Sequence, residues 1–134
     1  MSQAQIAEEP GAKIPELHVT PDKYLTFRYA GASGDYNPIH IDEEFAKAVG
    51  LPGRILHGLW TMAQVARAHT EAAGGPDRLT SLSVQFRGMG RLGEEIVVRG
   101  TVTSVADDTA IVESEAKQAG KRIIRHARGE LVLS

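Results

Sequence analysis

The chain has 134 residues, 42% hydrophobic and 24% charged, with a formal net charge of −2 and no cysteine. That length bounds it to one domain of ordinary soluble, globular composition. Disulfides and thiolate chemistry are excluded, and the near-neutral balance gives no electrostatic case for nucleic acid or an anionic membrane. No apolar run reaches bilayer-spanning length. The start of the chain lacks the basic and apolar regions of a signal peptide, so a cytoplasmic protein is expected.

Residues 1–12 are polar and include Glu8, Glu9, Pro10 and Gly11, which predicts a flexible N-terminus ahead of a domain over 13–134. A short strand fits 16–19. Thr20 and Pro21 read as the N-cap and first residue of a helix carrying Tyr24, Phe27 and Ala30. Residues 31–38 break helical geometry. Asp42 then caps a short helix through Phe45, Ala46 and Val49, stopped by Gly50 and Pro52.

The longest helical pattern covers 56–73. Leu59, Trp60, Met62, Ala63, Val65, Ala66 and Ala68 are apolar on nearly every side, which predicts a buried helix. Gly74, Gly75 and Pro76 end it. Strands follow over 82–86, 96–105, 110–117 and 123–133, with a hairpin at 106–108, a tight turn at Ala119 and Gly120, and Gly129 as a bulge. The pattern is α+β, a buried helix followed by a four-strand antiparallel meander.

The chemistry concentrates in Gly34-Asp35-Tyr36-Asn37-Pro38-Ile39-His40. Asp35 and His40 stand five apart across a turn that Gly, Asn and Pro favour. That spacing is wrong for one helix face, but on a bent loop both side chains can meet one water, the core of general acid–base chemistry. Leu56-His57-Gly58-Leu59 opens the long helix, where free backbone N–H groups can receive an oxyanion. No pair of histidines has ligand spacing beside a carboxylate on a helix, so no metal is expected. Gly88-x-Gly90 opens no helix and is no nucleotide fingerprint. His18, His69 and His126 sit apart and read as surface or structural groups.

The stretch Ala30-Gly31-Ala32-Ser33-Gly34-Asp35-Tyr36-Asn37-Pro38-Ile39-His40-Ile41-Asp42 resembles the hydratase-2 motif of the MaoC-like (R)-specific enoyl-thioester hydratases. Tyr29, Ser33, Asp35, Asn37, Pro38, Ile39 and His40 fill that motif's places, and Leu56-His57-Gly58-Leu59 is similar to its His-Gly at the start of the central helix. The resemblance implies a single hot-dog fold, an antiparallel sheet wrapped around a long central helix, paired with itself or with a related chain. It implies a hydro-lyase of fatty acid metabolism without cofactor. Such an enzyme adds water to a trans-2-enoyl thioester of coenzyme A or acyl-carrier protein, giving an (R)-3-hydroxyacyl thioester, or runs the reverse dehydration.

On that resemblance Asp35 and His40 activate the water and the Gly58 N–H faces the thioester oxygen. Tyr36, Asn37, His57 and Trp60 then fall near the substrate. Two other readings stay open: a hot-dog thioesterase, and a non-catalytic or regulatory subunit that binds acyl thioesters. Arg87, Arg91, Arg99, Lys121 and Arg122 read either as solvated cations or as contacts for the phosphates of coenzyme A or an acidic carrier. The chain departs from the family at Gly88-Met89-Gly90-Arg91-Leu92-Gly93, where many members carry a proline-containing turn. Glycine there predicts a more flexible segment.

Overall fold

The computed structural model describes Ile6 and residues 9–133. Strand β1 (Leu17–Val19) leads to helices α1 (Leu25–Ser33), α2 (Pro38–Ile41), α3 (Glu43–Ala48) and α4 (Gly58–Ala73). A 3₁₀ turn at Pro76–Arg78 enters β2 (Leu79–Phe86), followed by β3 (Ile96–Ala106), β4 (Thr109–Gln118) and β5 (Lys121–Val132). The strands form one five-stranded sheet in the order β1-β3-β4-β5-β2, antiparallel at every junction. The sheet curls around α4, which is the hot-dog arrangement.

The sheet is not the expected meander. Only β3, β4 and β5 follow one another as hairpins, while β2 pairs with β5 at the far edge. The link 87–95 between β2 and β3 is too long for a tight hairpin. It crosses instead, and Gln118 holds it down through bonds to the Arg91 N–H and to the Arg91 and Glu94 carbonyls.

Val65, Ala68 and Ala72 of α4 pack on Val98 and Val102 of β3, Val112 and Ala116 of β4, and Ile124 and Leu131 of β5. Each aliphatic side chain buried this way contributes about 1.5–3 kcal/mol. The α4 helix is not buried all round, as its apolar pattern predicts: Leu59 is 66% exposed. One sheet can cover only one side of a helix, and the face around Leu59 points away from it.

His69 is on the covered face and fully buried, with Nε2 2.7 Å from Ser114 Oγ. Its ring lies against Gly129, where an added Cβ would fall 2.2 Å from Nδ1. Gly129 therefore makes room for the imidazole. It is in register with Leu82 and Val112 and is not a bulge. The β5 bulge lies one turn of pleat earlier, where Arg125 and His126 together oppose Glu115, with His126 at φ 50°.

Of the N-terminal stretch expected to be loose, residues 1–5, 7 and 8 lie outside the described residues. Ile6 is buried, the Gly11 N–H donates to the Val102 carbonyl, and the Val102 N–H donates to the Ala12 carbonyl. Helix α1 begins at Leu25 and not at Pro21. The Pro21 carbonyl accepts from the Gly93 N–H instead of starting a helix, and Asp22 Oδ1 accepts from the Tyr24 N–H, closing a turn there. Among the described residues no helix is long and apolar enough to cross a membrane.

Candidate active site

Three short side chains build the Asp35 loop by bonding the backbone two residues on. Ser33 Oγ accepts from the Asp35 N–H at 3.2 Å, Asp35 Oδ1 from the Asn37 N–H at 3.1 Å, and Asn37 Oδ1 from the Ile39 N–H at 3.2 Å. Gly34, at φ 78°, makes the left-handed turn that ends α1. Asn37 is the N-cap and Pro38 the first residue of α2, so His40 stands on a short helix and not on a loop.

His40 is buried, and its Nδ1 lies 2.8 Å from the Ile55 carbonyl, which can only accept. Nδ1 is therefore the donor to this carbonyl, which leaves Nε2 as the acceptor in that tautomer of the ring. Nε2 faces Asp35 Oδ2 across 3.9 Å, too far for a direct hydrogen bond. A water about 2.8 Å from both atoms fits that gap, holding them at an angle of about 90°. Asp35 is half exposed, so water reaches the pair from its side.

His57 lies beneath this pair. It is 1% exposed, and its Nε2 donates to the Asp35 carbonyl at 3.0 Å. Its ring stacks on His40 with centroids 3.9 Å apart and meets Tyr29 at 4.7 Å. Gly58 is the first residue of the 16-residue helix α4, and an added Cβ there would meet Phe86 Cε1 at 3.3 Å. First-turn N–H groups have no partner within their own helix, so this end is a donor site with the helix dipole behind it.

The fold thus brings Asp35, His40, His57 and Gly58 to one place. Tyr36 is 60% exposed beside them. The Asn37 side chain is committed to capping α2. Trp60 is half-buried against the core. Sequence spacing hid two contributors. One is the Ile55 carbonyl, which fixes the His40 tautomer. The other is Arg54, which bonds Glu43, Thr26 Oγ1 and the Lys23 carbonyl, tying α1 and α3 to the segment before α4. A backbone acceptor leaves no residue signature, and a lone arginine reads as solvated.

Spacing along the chain also hid that Asp35, His40 and His57 have ligand atoms within 4.8 Å of one another, close enough to hold a metal ion. The two rings are nearly parallel, at 23°, so their in-plane lone pairs run side by side and do not converge on one point. That geometry suits two stacked imidazoles better than a tetrahedral metal centre.

The chain belongs to the MaoC like domain family, whose model matches residues 2–123. It is 31% identical over 129 residues to the peroxisomal hydratase-dehydrogenase-epimerase of Neurospora crassa, covering 93% of this chain and 13% of that protein. Over 122 residues it is 29% identical to the peroxisomal enoyl-CoA hydratase 2 of Arabidopsis thaliana, covering 90% of this chain and 38% of the relative. A solved MaoC-like dehydratase superposes with a TM-score of 0.90 at 32% identity, over 99% of this chain and 43% of that one. The chain spans well under half the length of these curated relatives.

Proposed function

We propose that this chain is a hydro-lyase that adds water reversibly across the double bond of a trans-2-enoyl thioester, giving a 3-hydroxyacyl thioester of (R) configuration. The observation that carries the reading is the 3.9 Å gap between Asp35 Oδ2 and the free Nε2 of His40. Asp35 orients and activates the water while His40 shares it and shuttles the proton. The water oxygen bonds to C3, the π electrons move toward C2 and the thioester oxygen, and the proton released by the water is returned to C2. The Gly58 N–H and the dipole of α4 stabilise the transient oxyanion. The family and the relatives' names support this class of reaction, and the resemblance in the Asp35 motif supports the (R) hand.

The working unit is a dimer, with a second copy or a related hot-dog chain. Supporting this, β2 is an edge strand with β5 on one side only, and Phe86 on that strand and Leu59, next to the Gly58 that Phe86 faces, are exposed. A long edge with apolar neighbours is a surface that proteins cover.

The test is to mix purified protein with short and medium 2-enoyl-CoA, follow loss of the conjugated thioester absorbance, and determine the hand of the product. Asp35→Asn and His40→Ala are expected to cut the rate about 10²–10⁴-fold with the fold intact. Full activity in both folded variants refutes the assignment. Release of free thiol points to a thioesterase, and binding without turnover to a binding subunit.

A further inference from the structure

A concavity lies against the segment that tethers His40, with Ile55 in its lining. Its volume is about 340 Å³, and Arg87, Arg91, Lys121 and Arg122 line it against a single carboxylate, Glu94. Met89, Ile55 and Ile123 supply an apolar floor. Most other cations of this chain are spoken for: Arg28, Lys47, Arg54, Arg67, Arg99, Lys117 and Arg128 each pair with a carboxylate. Within the pocket Arg122 leans on Glu115, while the Arg87, Arg91 and Lys121 side chains have no hydrogen bond or ion pair among the described residues. Three uncompensated cations in one concavity hold a positive potential that a solvated, charge-mixed surface does not.

Hydrogen bonds brace one wall of the pocket despite its glycines. Buried Gln118 accepts from the Arg91 N–H at 2.7 Å and donates to the Arg91 and Glu94 carbonyls at 2.8 and 2.9 Å. Gly90 is glycine because an added Cβ would fall 2.6 Å from Leu56, and Gly88 because one would fall 3.1 Å from the Arg122 carbonyl. Within 88–93 Gly90 is therefore buried and closely packed, while Gly88, Met89, Arg91 and Gly93 are exposed.

Position links this pocket to the site. Ile55 lines it and gives its carbonyl to His40. Phe86 faces Gly58, and the next three residues, Arg87, Gly88 and Met89, line the pocket. A thioester with its carbonyl at Gly58 has this basic concavity along the β2 exit.

We infer that the pocket formed by Arg87, Arg91, Lys121 and Arg122 binds the phosphate-bearing arm of the thiol that carries the acyl group. Guanidinium and ammonium donors make strong, charge-assisted bonds to phosphate oxygens, and the apolar floor suits the uncharged part of the arm. The inference rests on the thioester reading above.

The test measures binding apart from turnover. Coenzyme A, 4′-phosphopantetheine and phosphate-free pantetheine are titrated calorimetrically into wild type, Asp35→Asn, and the triple variant Arg87→Gln/Arg91→Gln/Lys121→Gln. Arg67→Gln/Arg78→Gln serves as a charge control, and melting temperature as the check on folding. The triple variant is expected to bind coenzyme A about tenfold more weakly, with a flatter dependence on salt, while pantetheine binding is unaltered and Asp35→Asn binds as wild type. Equal loss with coenzyme A and 4′-phosphopantetheine supports the inference and assigns the phosphate that a carrier protein shares. Loss with coenzyme A alone supports it and assigns the nucleotide phosphates. Unchanged affinity in the folded triple variant, an equal loss with pantetheine, a matching loss in the charge control, or no binding by wild type overturns it. Hydration of enoyl-CoA with charge-independent binding would remove the pocket and leave the hydratase. Absence of both would remove both.

Discussion

The buried His69 predicts a large, one-signed dependence of stability on pH. Burial pushes its pKa down to about 4, from an ordinary value near 6.5. The folded core accommodates the neutral ring, while the unfolded chain takes up a proton as pH falls. Between those two values the unfolded state binds more protons, so stability rises with pH across the window and is fully present above about 6.5. At about 1.4 kcal/mol per pH unit, the gap corresponds to about 3 kcal/mol lost on going from neutral pH to about 4.

The perturbation is His69→Gln, which keeps a donor for Ser114 and removes the titration. It should cost about 1–2 kcal/mol at neutral pH through poorer packing and a weaker hydrogen bond. Urea unfolding would be run on both proteins at about pH 7.5 and about pH 4.5. The wild-type midpoint should fall by about 1 M more than that of the variant. The other titrating groups act in both proteins and cancel in the difference. They include His18, whose pKa is raised by its bonds to Glu95 and Glu16, and Glu16, whose pKa is lowered chiefly by Arg99. Identical pH slopes in the two proteins would refute the argument.

Gly129→Ala places a methyl group against the same ring, which α4 and the sheet hold from both sides. A destabilisation of about 1–3 kcal/mol is expected by thermal or urea melting, and the double variant Gly129→Ala/His69→Ala should recover part of it. Asn37→Ala removes the N-cap of α2. It should lower stability by about 1 kcal/mol and depress hydration further than that alone explains, because His40 rides on the helix it starts; Asn37→Asp, which keeps an acceptor, should restore both.

What could be read from the chain alone follows from the range of the forces involved. The Asp35 loop was legible because each of its bonds spans two residues, and the α3 cap because Asp42 bonds Phe45 three residues on. Alternation marked the long strands. The place of β2 beside β5 was not legible, because it depends on where a nine-residue crossing lands and not on any pattern inside β2. His69 stayed open between a surface and a structural group because its neighbours Arg67, Thr70 and Glu71 are polar; its partner Ser114 is 45 positions away. The start of α1 was misplaced since Pro21 reads as a helix opener until Gly93, from another part of the chain, bonds its carbonyl.

Ile55 makes every one of its directional contacts through its backbone. Its N–H donates to the Ile39 carbonyl, its carbonyl accepts a hydrogen bond from His40 Nδ1, and its only pairing beyond these among the described residues is the bridge to Arg91. Truncating its side chain trims the pocket floor and leaves the imidazole aimed as before. The residue that selects which ring nitrogen of His40 donates is therefore nearly invisible to an alanine scan. A change that removes its N–H, such as Ile55→Pro, is what would expose it, by cutting the bond to the Ile39 carbonyl that ties α2 to the strand-like segment ahead of α4.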